Sequence, residues 1–262
     1  MRLPAEGLPR LTNRLLDRST IRPEIAALLR RGKAELIAAM AATARVLHKG
    51  EILVAMHQPH DFVYAVASGW LCRNRTLPDG RRQNIVIYLP GEVCGIKSIF
   101  LTHQQDAIEA ITPAAVRRLP HEAACRLIAK DFAVGIYLAW RLAEDERHLH
   151  NWNVRLGQAN AEERLAAFLL ELRNRLRLRG MSDGRRYGFP LTRQQLADHL
   201  GLTAVHTGRV LRRFRQRGIV SIERNQVVLL QNAHFLEEIA RPIMDVAESD
   251  GEDILVDQPP AR

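Results

Sequence analysis

Residues 191–218 read LTRQQLADHLGLTAVHTGRVLRRFRQRG, and two helices can be marked on them from their caps. Thr192, followed three positions on by Gln195, forms a capping box that satisfies two free backbone N–H groups at a helix start. Leu196, Ala197 and Leu200 make the inner face of this helix, where small Ala197 lets a neighbour come close. Gly201 supplies a turn, and Thr203 caps a second helix. In that helix Thr207, Val210, Leu211 and Phe214 recur at helical spacing and face inward. Ala204, Val205, Gly208, Arg209, Arg212 and Gln216 are left facing outward. Helix, glycine turn and helix with these faces make a helix-turn-helix, whose second helix enters the DNA major groove.

The outward face suits double-stranded DNA. Ala204 and Gly208 are small and allow close approach, and Arg209 can reach guanine O6 and N7 as a bidentate fork. Val205 can pack on a thymine methyl, and His206 beside it is expected to turn partly toward the domain. Thr192, Arg193 and Gln194 are placed for phosphates, which fix register without reading bases. Thr203 and Arg212 complete the set on the two helices. After Gly218, IVSIERNQVVLLQNAHFLEEI gives two short strands around Arg224 and Asn225, then a closing helix. That is a wing, with Arg224 at its tip as a further phosphate contact.

The charge points the same way. The chain carries a net +9, and Arg164 to Arg224 holds 14 arginines against four acids, a surplus of ten. Clustering of one sign favours a polyanionic partner, because phosphate contacts release condensed counterions.

Upstream the texture changes. From Arg45 to Leu119 short strand-like runs alternate with glycines, and Pro78, Asp79 and Gly80 form a hairpin turn. Six or more strands at this spacing predict an antiparallel barrel or jelly roll. Residues 131–158 predict one long helix with Asp131 as N-cap. Its positions Leu138, Leu142, Asp145, Leu149, Trp152 and Leu156 alternate by four and three, the seam of a two-stranded coiled coil and hence of a homodimer. A second helix runs from Asn160 to Gly180, and MSDGRRYGFP reads as a loop. The chain thus divides into an N-terminal helical segment at 1–40, a β-roll at 41–130, the dimerisation helix at 131–158 and the DNA-binding domain at 159–243. An acidic, disordered tail follows at 244–262.

Cys72, Cys94 and Cys125 are scattered, which argues against disulfides and structural zinc. No apolar run is long enough for a membrane span, and the N-terminus lacks the apolar core of a signal peptide, so a cytoplasmic protein is expected. His148 and His150 point to different helix faces, against a shared metal. The roll has no H-x-H with a suitably spaced glutamate, so a cupin-type enzyme is not supported.

HKGE at 48–51, Gly69, Asp79 with Gly80, and PGEVCG at 90–95, together with ERLAAFLLEL at 163–172 and the helix-turn-helix itself, resemble the Crp/Fnr family of bacterial transcription regulators. The likeness spans roughly Arg45 to Ala240. It implies an α+β fold: an N-terminal double-stranded β-helix (a jelly roll like the cyclic-nucleotide-binding domain), a long dimerisation helix and a C-terminal winged helix-turn-helix. It also implies a homodimer on a palindromic operator, with RNA polymerase as a partner and no enzymatic activity. Three departures matter. Ile96 stands where cyclic-nucleotide-binding members place a ribose-binding glutamate, and no arginine lies between Arg82 and Arg117 to cradle a cyclic phosphate. Gly95, Ile96, Lys97, Ser98 and His103 mark the pocket region, yet neither Lys97 nor His103 supplies a bidentate fork. The first 71 residues contain no cysteine, against an N-terminal iron–sulfur cluster, and the histidine pattern argues against haem. Many members also carry a glutamate at the position of Val205. The effector is therefore expected to be a signal other than cAMP, or absent in a constitutive regulator; the alternative is a cyclic-nucleotide-responsive regulator with an atypical pocket.

Overall fold

The computed structural model describes residues 21–40 and 44–243; the first half of the expected N-terminal segment and the expected acidic tail lie outside the described residues. Helix α1 (Pro23–Ala39) opens on proline, which costs nothing where the first N–H groups have no helical partner anyway. Eight strands follow: β1 (Arg45–Leu47), β2 (Ile52–Val54), β3 (Phe62–Ser68), β4 (Leu71–Thr76), β5 (Arg82–Tyr88), β6 (Val93–Cys94), β7 (Ala107–Ala110) and β8 (Ala114–Pro120). They pair antiparallel into two four-stranded sheets, β1-β8-β3-β6 and β2-β7-β4-β5, which face each other as a jelly roll. Leu47, Val54, Val66, Leu71, Ile108 and Val116 fill the space between them.

Gly69 shows why the roll needs glycine at a corner. Its φ is +76°, and a Cβ there would lie 2.3 Å from the Pro113 carbonyl oxygen.

Helix α2 (His121–Lys130) leads into α3 (Phe132–Gln158), capped by the Asp131 carboxylate, which accepts from the Ala133 N–H at 3.0 Å. Helix α1 crosses α3 closely enough that a Cβ on Gly32 would meet the Ala133 carbonyl at 2.0 Å. Asn160 and Glu163 form a capping box that starts α4 (Ala161–Leu178). The remaining elements are β9 (Arg186–Gly188), α5 (Arg193–Leu200), α6 (Ala204–Gln216), β10 (Val220–Glu223), β11 (Gln226–Leu229) and α7 (His234–Ala240).

Two short strands were not visible as periodic patterns. Strand β6 lies inside PGEVCG, and β9 lies inside the stretch read as a loop, where it pairs with β11 to give the wing three strands. Tyr187 anchors β9, its buried hydroxyl donating to the Leu169 carbonyl at 2.8 Å.

Helix α3 also corrects the expected seam. Leu138 is buried in its own chain among α1 and α2 residues, and Trp152 is buried against the DNA-binding domain. The heptad count located a stripe but not which side its own roll would occupy. The exposed stripe runs through Ala139, Ala143, Glu146, Leu149 and Asn153, of which Leu149 alone belongs to the expected seam. Leu142 and Leu156 are half-buried at its edge.

Candidate nucleic-acid interface

Both caps of the helix-turn-helix form. The Thr192 hydroxyl accepts from the Gln195 N–H at 3.1 Å while Gln195 Oε1 accepts from the Thr192 N–H at 2.9 Å. Gly201 ends α5 with φ +64°, and the Thr203 hydroxyl accepts from the His206 N–H at 3.1 Å. Thr207, Val210 and Phe214 are buried beneath α6, and Leu196, Ala197 and Leu200 beneath α5.

On the outer side Val205 is 64% exposed, and Arg209, Arg212 and Gln216 are exposed, while Ala204 and Gly208 are half-buried. His206 is exposed too, rather than turned toward the domain. Arg193, at the start of α5, lies across Gly208, with its Cδ 3.4 Å from where a Cβ would sit. Thr192 and Thr203 are exposed, and Gln194 donates to Asp198 one turn on at 2.6 Å. Between α5, α6 and β10 runs a concave groove of about 590 Å³. Its floor is Leu191, Leu196, Leu211 and Ile222, its walls carry Arg193, Arg209, Arg212 and Arg215, and no acidic residue lines it. Arg224 and Asn225 turn the wing with φ of +47° and +63°. A convex helix beside an apolar, acid-free and arginine-rimmed groove attracts a phosphate backbone and offers α6 to base edges.

Not every arginine of the basic cluster serves that face. Arg213 and Arg217 hold Glu162 at 2.9 and 3.2 Å, and Arg173 holds Glu237 at 3.2 Å. Arg164 donates to the carbonyls of Leu156, Ala159 and Leu200, closing the end of α3. Arg175 and Arg179 reach back to the roll, donating to the buried Glu92 carboxylate at 2.8 and 2.7 Å. Arg155 and Glu171 pair at 2.7 Å. Burial opposes the Glu171 charge, but Arg155, His148 and Arg175 outweigh it and hold the carboxyl at about 2.

The pocket region of the roll is built differently. Gly95 turns with φ +75°, and Ile96, Lys97 and Ser98 form a short 3-10 turn in which Ile96 and Ser98 are buried. His103 does not join them: it is exposed and bonded to the Thr102 hydroxyl at 2.9 Å. Inside, Arg73 on β4 spans Asp145 of α3 at 3.0 Å and Asp106 at 3.9 Å. Tyr88 and Cys94 fill the remainder, with burial pushing the Cys94 thiol up to about 12. About 20 Å³ is left, room for a water molecule rather than a nucleotide. The residues present do not fit a cyclic nucleotide. Among the described residues no cluster of three or more His, Cys, Asp and Glu side chains could hold a metal ion, and no helix is long and apolar enough to cross a membrane.

A jelly roll, a long connecting helix and a winged helix-turn-helix define a DNA-binding transcription regulator rather than an enzyme. Residues 44–131 match the cyclic nucleotide-binding domain model, and residues 163–239 match the Crp-like helix-turn-helix domain model. The transcriptional activator protein anr of Pseudomonas aeruginosa is 28% identical over 188 residues, covering 72% of this chain and 77% of that protein. Transcriptional activator protein FnrL of Cereibacter sphaeroides is 27% identical over 199 residues, covering 74% and 79%. Among solved structures, FixK2 from Bradyrhizobium japonicum superposes with a TM-score of 0.69 at 30% identity, covering 76% of this chain and 97% of that one. The chain belongs to the Crp/Fnr family of transcription regulators.

Proposed function

We propose that the chain is a homodimeric, sequence-specific regulator that works in the cytoplasm on a palindromic operator and with RNA polymerase. In this reading residues 41–130 are the sensor domain, 131–158 the dimerisation helix and 159–243 the reader. The observation that carries it is the acid-free groove beside α6, with Val205, Arg209 and Arg212 exposed. Each copy lays α6 in the major groove, and the two half-sites lie about 34 Å apart, one helical turn. Arg209 reads guanine and Val205 packs on a thymine methyl. With small Ala204 and Gly208 admitting the helix, Thr192, Arg193, Gln194, Thr203, Arg212 and the wing-tip Arg224 hold phosphates. The second copy packs along Ala139, Ala143, Glu146, Leu149 and Asn153, which are exposed, with the half-buried Leu142 and Leu156 at the edges of this stripe. The closed roll supports a signal other than cAMP, or constitutive activity.

Selection of bound genomic DNA, with and without added cyclic nucleotides, tests this. An inverted repeat whose enrichment ignores the nucleotides is expected. Enrichment without sequence preference would overturn the reading, and dependence on a cyclic nucleotide would restore the atypical-pocket alternative.

A further inference from the structure

Strand β5 is an edge strand, and its open side is covered by the reader. At its start the ladder to β4 slips: Asn74 faces Asn84 but Arg73 faces Val86, so Ile85 bulges out. A bulge re-aims the side chains next to it. Here it accompanies a fully buried Asn84 whose Nδ2 donates to the Gln195 carbonyl of α5 at 2.8 Å. The Asn84 carbonyl in turn accepts from Nδ1 of His199 at 3.0 Å, and Gln83 Nε2 donates to the His199 carbonyl at 3.1 Å. The His199 ring is itself clasped, with Trp152 of α3 and Phe168 of α4 each 4.5 Å away between ring centres. Beyond the far end of β5, Glu92 grips Arg175 of α4 and Arg179 at its C-cap. Within β5 itself the Ile87 carbonyl accepts from Arg175 at 2.7 Å, so this strand holds the reader near both ends.

We propose that Asn84 and Gln83 are positioning residues for DNA recognition. Helix α5 packs directly on α6, so fixing α5 against β5 fixes the angle at which α6 meets the groove. None of the bonded atoms lies on the DNA face, and the Asn84 and Gln83 side chains belong to the roll. The roll then sets the distance between the two reading helices by direct contact, in addition to any influence through α3. The inference rests on the dimeric reading proposed above.

The test uses the full chain and duplexes carrying two copies of the selected half-site at spacings altered one base pair at a time. A change of about two base pairs swings one half-site by roughly 70° around the duplex. Wild type should lose at least about tenfold in affinity, the size of one lost base contact. Asn84→Ala should lose no more than about threefold for the same change while preferring the same bases within each half-site. A uniform weakening at every spacing, or an unchanged spacing preference, would overturn the inference. Gln83→Ala removes a half-exposed side chain without opening a cavity and should flatten the profile to a smaller degree; it decides the matter should Asn84→Ala not fold. A wild type indifferent to spacing overturns the dimeric reading, and this inference with it. A steep wild type matched by an equally steep Asn84→Ala overturns this inference alone.

Discussion

The interior of the roll and the face of the reader both turn arginine toward the place where a family ligand would lie, and they treat it in opposite ways. Arg73 is buried between Asp145 and Asp106, and the space around it has shrunk to about 20 Å³. Arg209 and Arg212 stand exposed beside a groove of about 590 Å³ with no acid on its walls. A guanidinium taken out of water must be matched by its own protein, and once matched it has little left for a ligand. One left in water keeps its donors available to phosphate or guanine. The roll interior is filled by its own side chains, whereas the groove beside α6 is open.

The sharpest way to break this contrast is to remove the buried arginine. Arg73→Ala removes the arginine that bonds Asp145, while Asp106 keeps Arg75 at 2.7 Å, and should cost about 3 kcal/mol in urea unfolding. Arg212→Ala should change stability by less than about 0.5 kcal/mol. Similar small losses for both would mean that the roll interior is not a filled core.

Acid probes the contact between the two regions. Burial pushes the His199 imidazole down to about 4, so the folded protein holds it neutral. A group whose folded pKa lies below its unfolded value stabilises fully above the latter. Stability should thus fall between about pH 6.5 and 4, by up to about 3 kcal/mol. Glu171, held at about 2, adds a further loss below its ordinary carboxylate range. Denaturant midpoints that stay flat across this window would contradict a buried, neutral His199.

Arg209→Ala should erase discrimination at one base pair in each half-site, about 1–3 kcal/mol, with the fold unchanged. Arg193→Ala should instead weaken binding alike on every sequence and shallow its salt dependence. Equal sequence-independent losses would undo the division of labour between them. The smallest effect concerns Thr207, whose fully buried hydroxyl has no hydrogen-bond partner. Thr207→Val should raise stability by about 1 kcal/mol and leave DNA affinity alone, as read by thermal unfolding and titration.

The reader was legible because its signals are local. Thr192 with Gln195, Gly201, and Thr203 with His206 each settle a helix end within a few residues, and the structure places all of them as the spacing demands. The strands of the roll were legible from their glycine punctuation, except β6, and in the wing β9 was missed; both are too short to show a period. What the sequence hid is long-range. Leu138 and Trp152 fit a heptad as well as Leu142 and Leu149 do, and only the position of the roll, α1 and the reader decides which pair is covered. Nothing in QNI marks Asn84 as a contact to α5, because its partner lies 111 residues away. Likewise the arginines of α4 look identical in sequence, yet Arg175 and Arg179 serve Glu92 rather than DNA.

That last contact bears on how the chain is made. Glu92 is buried at the rim of the roll, and the first arginine that neutralises it comes 83 residues later. At roughly 5–20 residues per second, a ribosome takes about 4–17 s to deliver it. Through that interval the nascent roll carries a carboxylate without its arginine partners, which favours its hydration over burial. A chain truncated before Arg175 would leave the buried Glu92 carboxylate at the rim of the roll without Arg175 and Arg179.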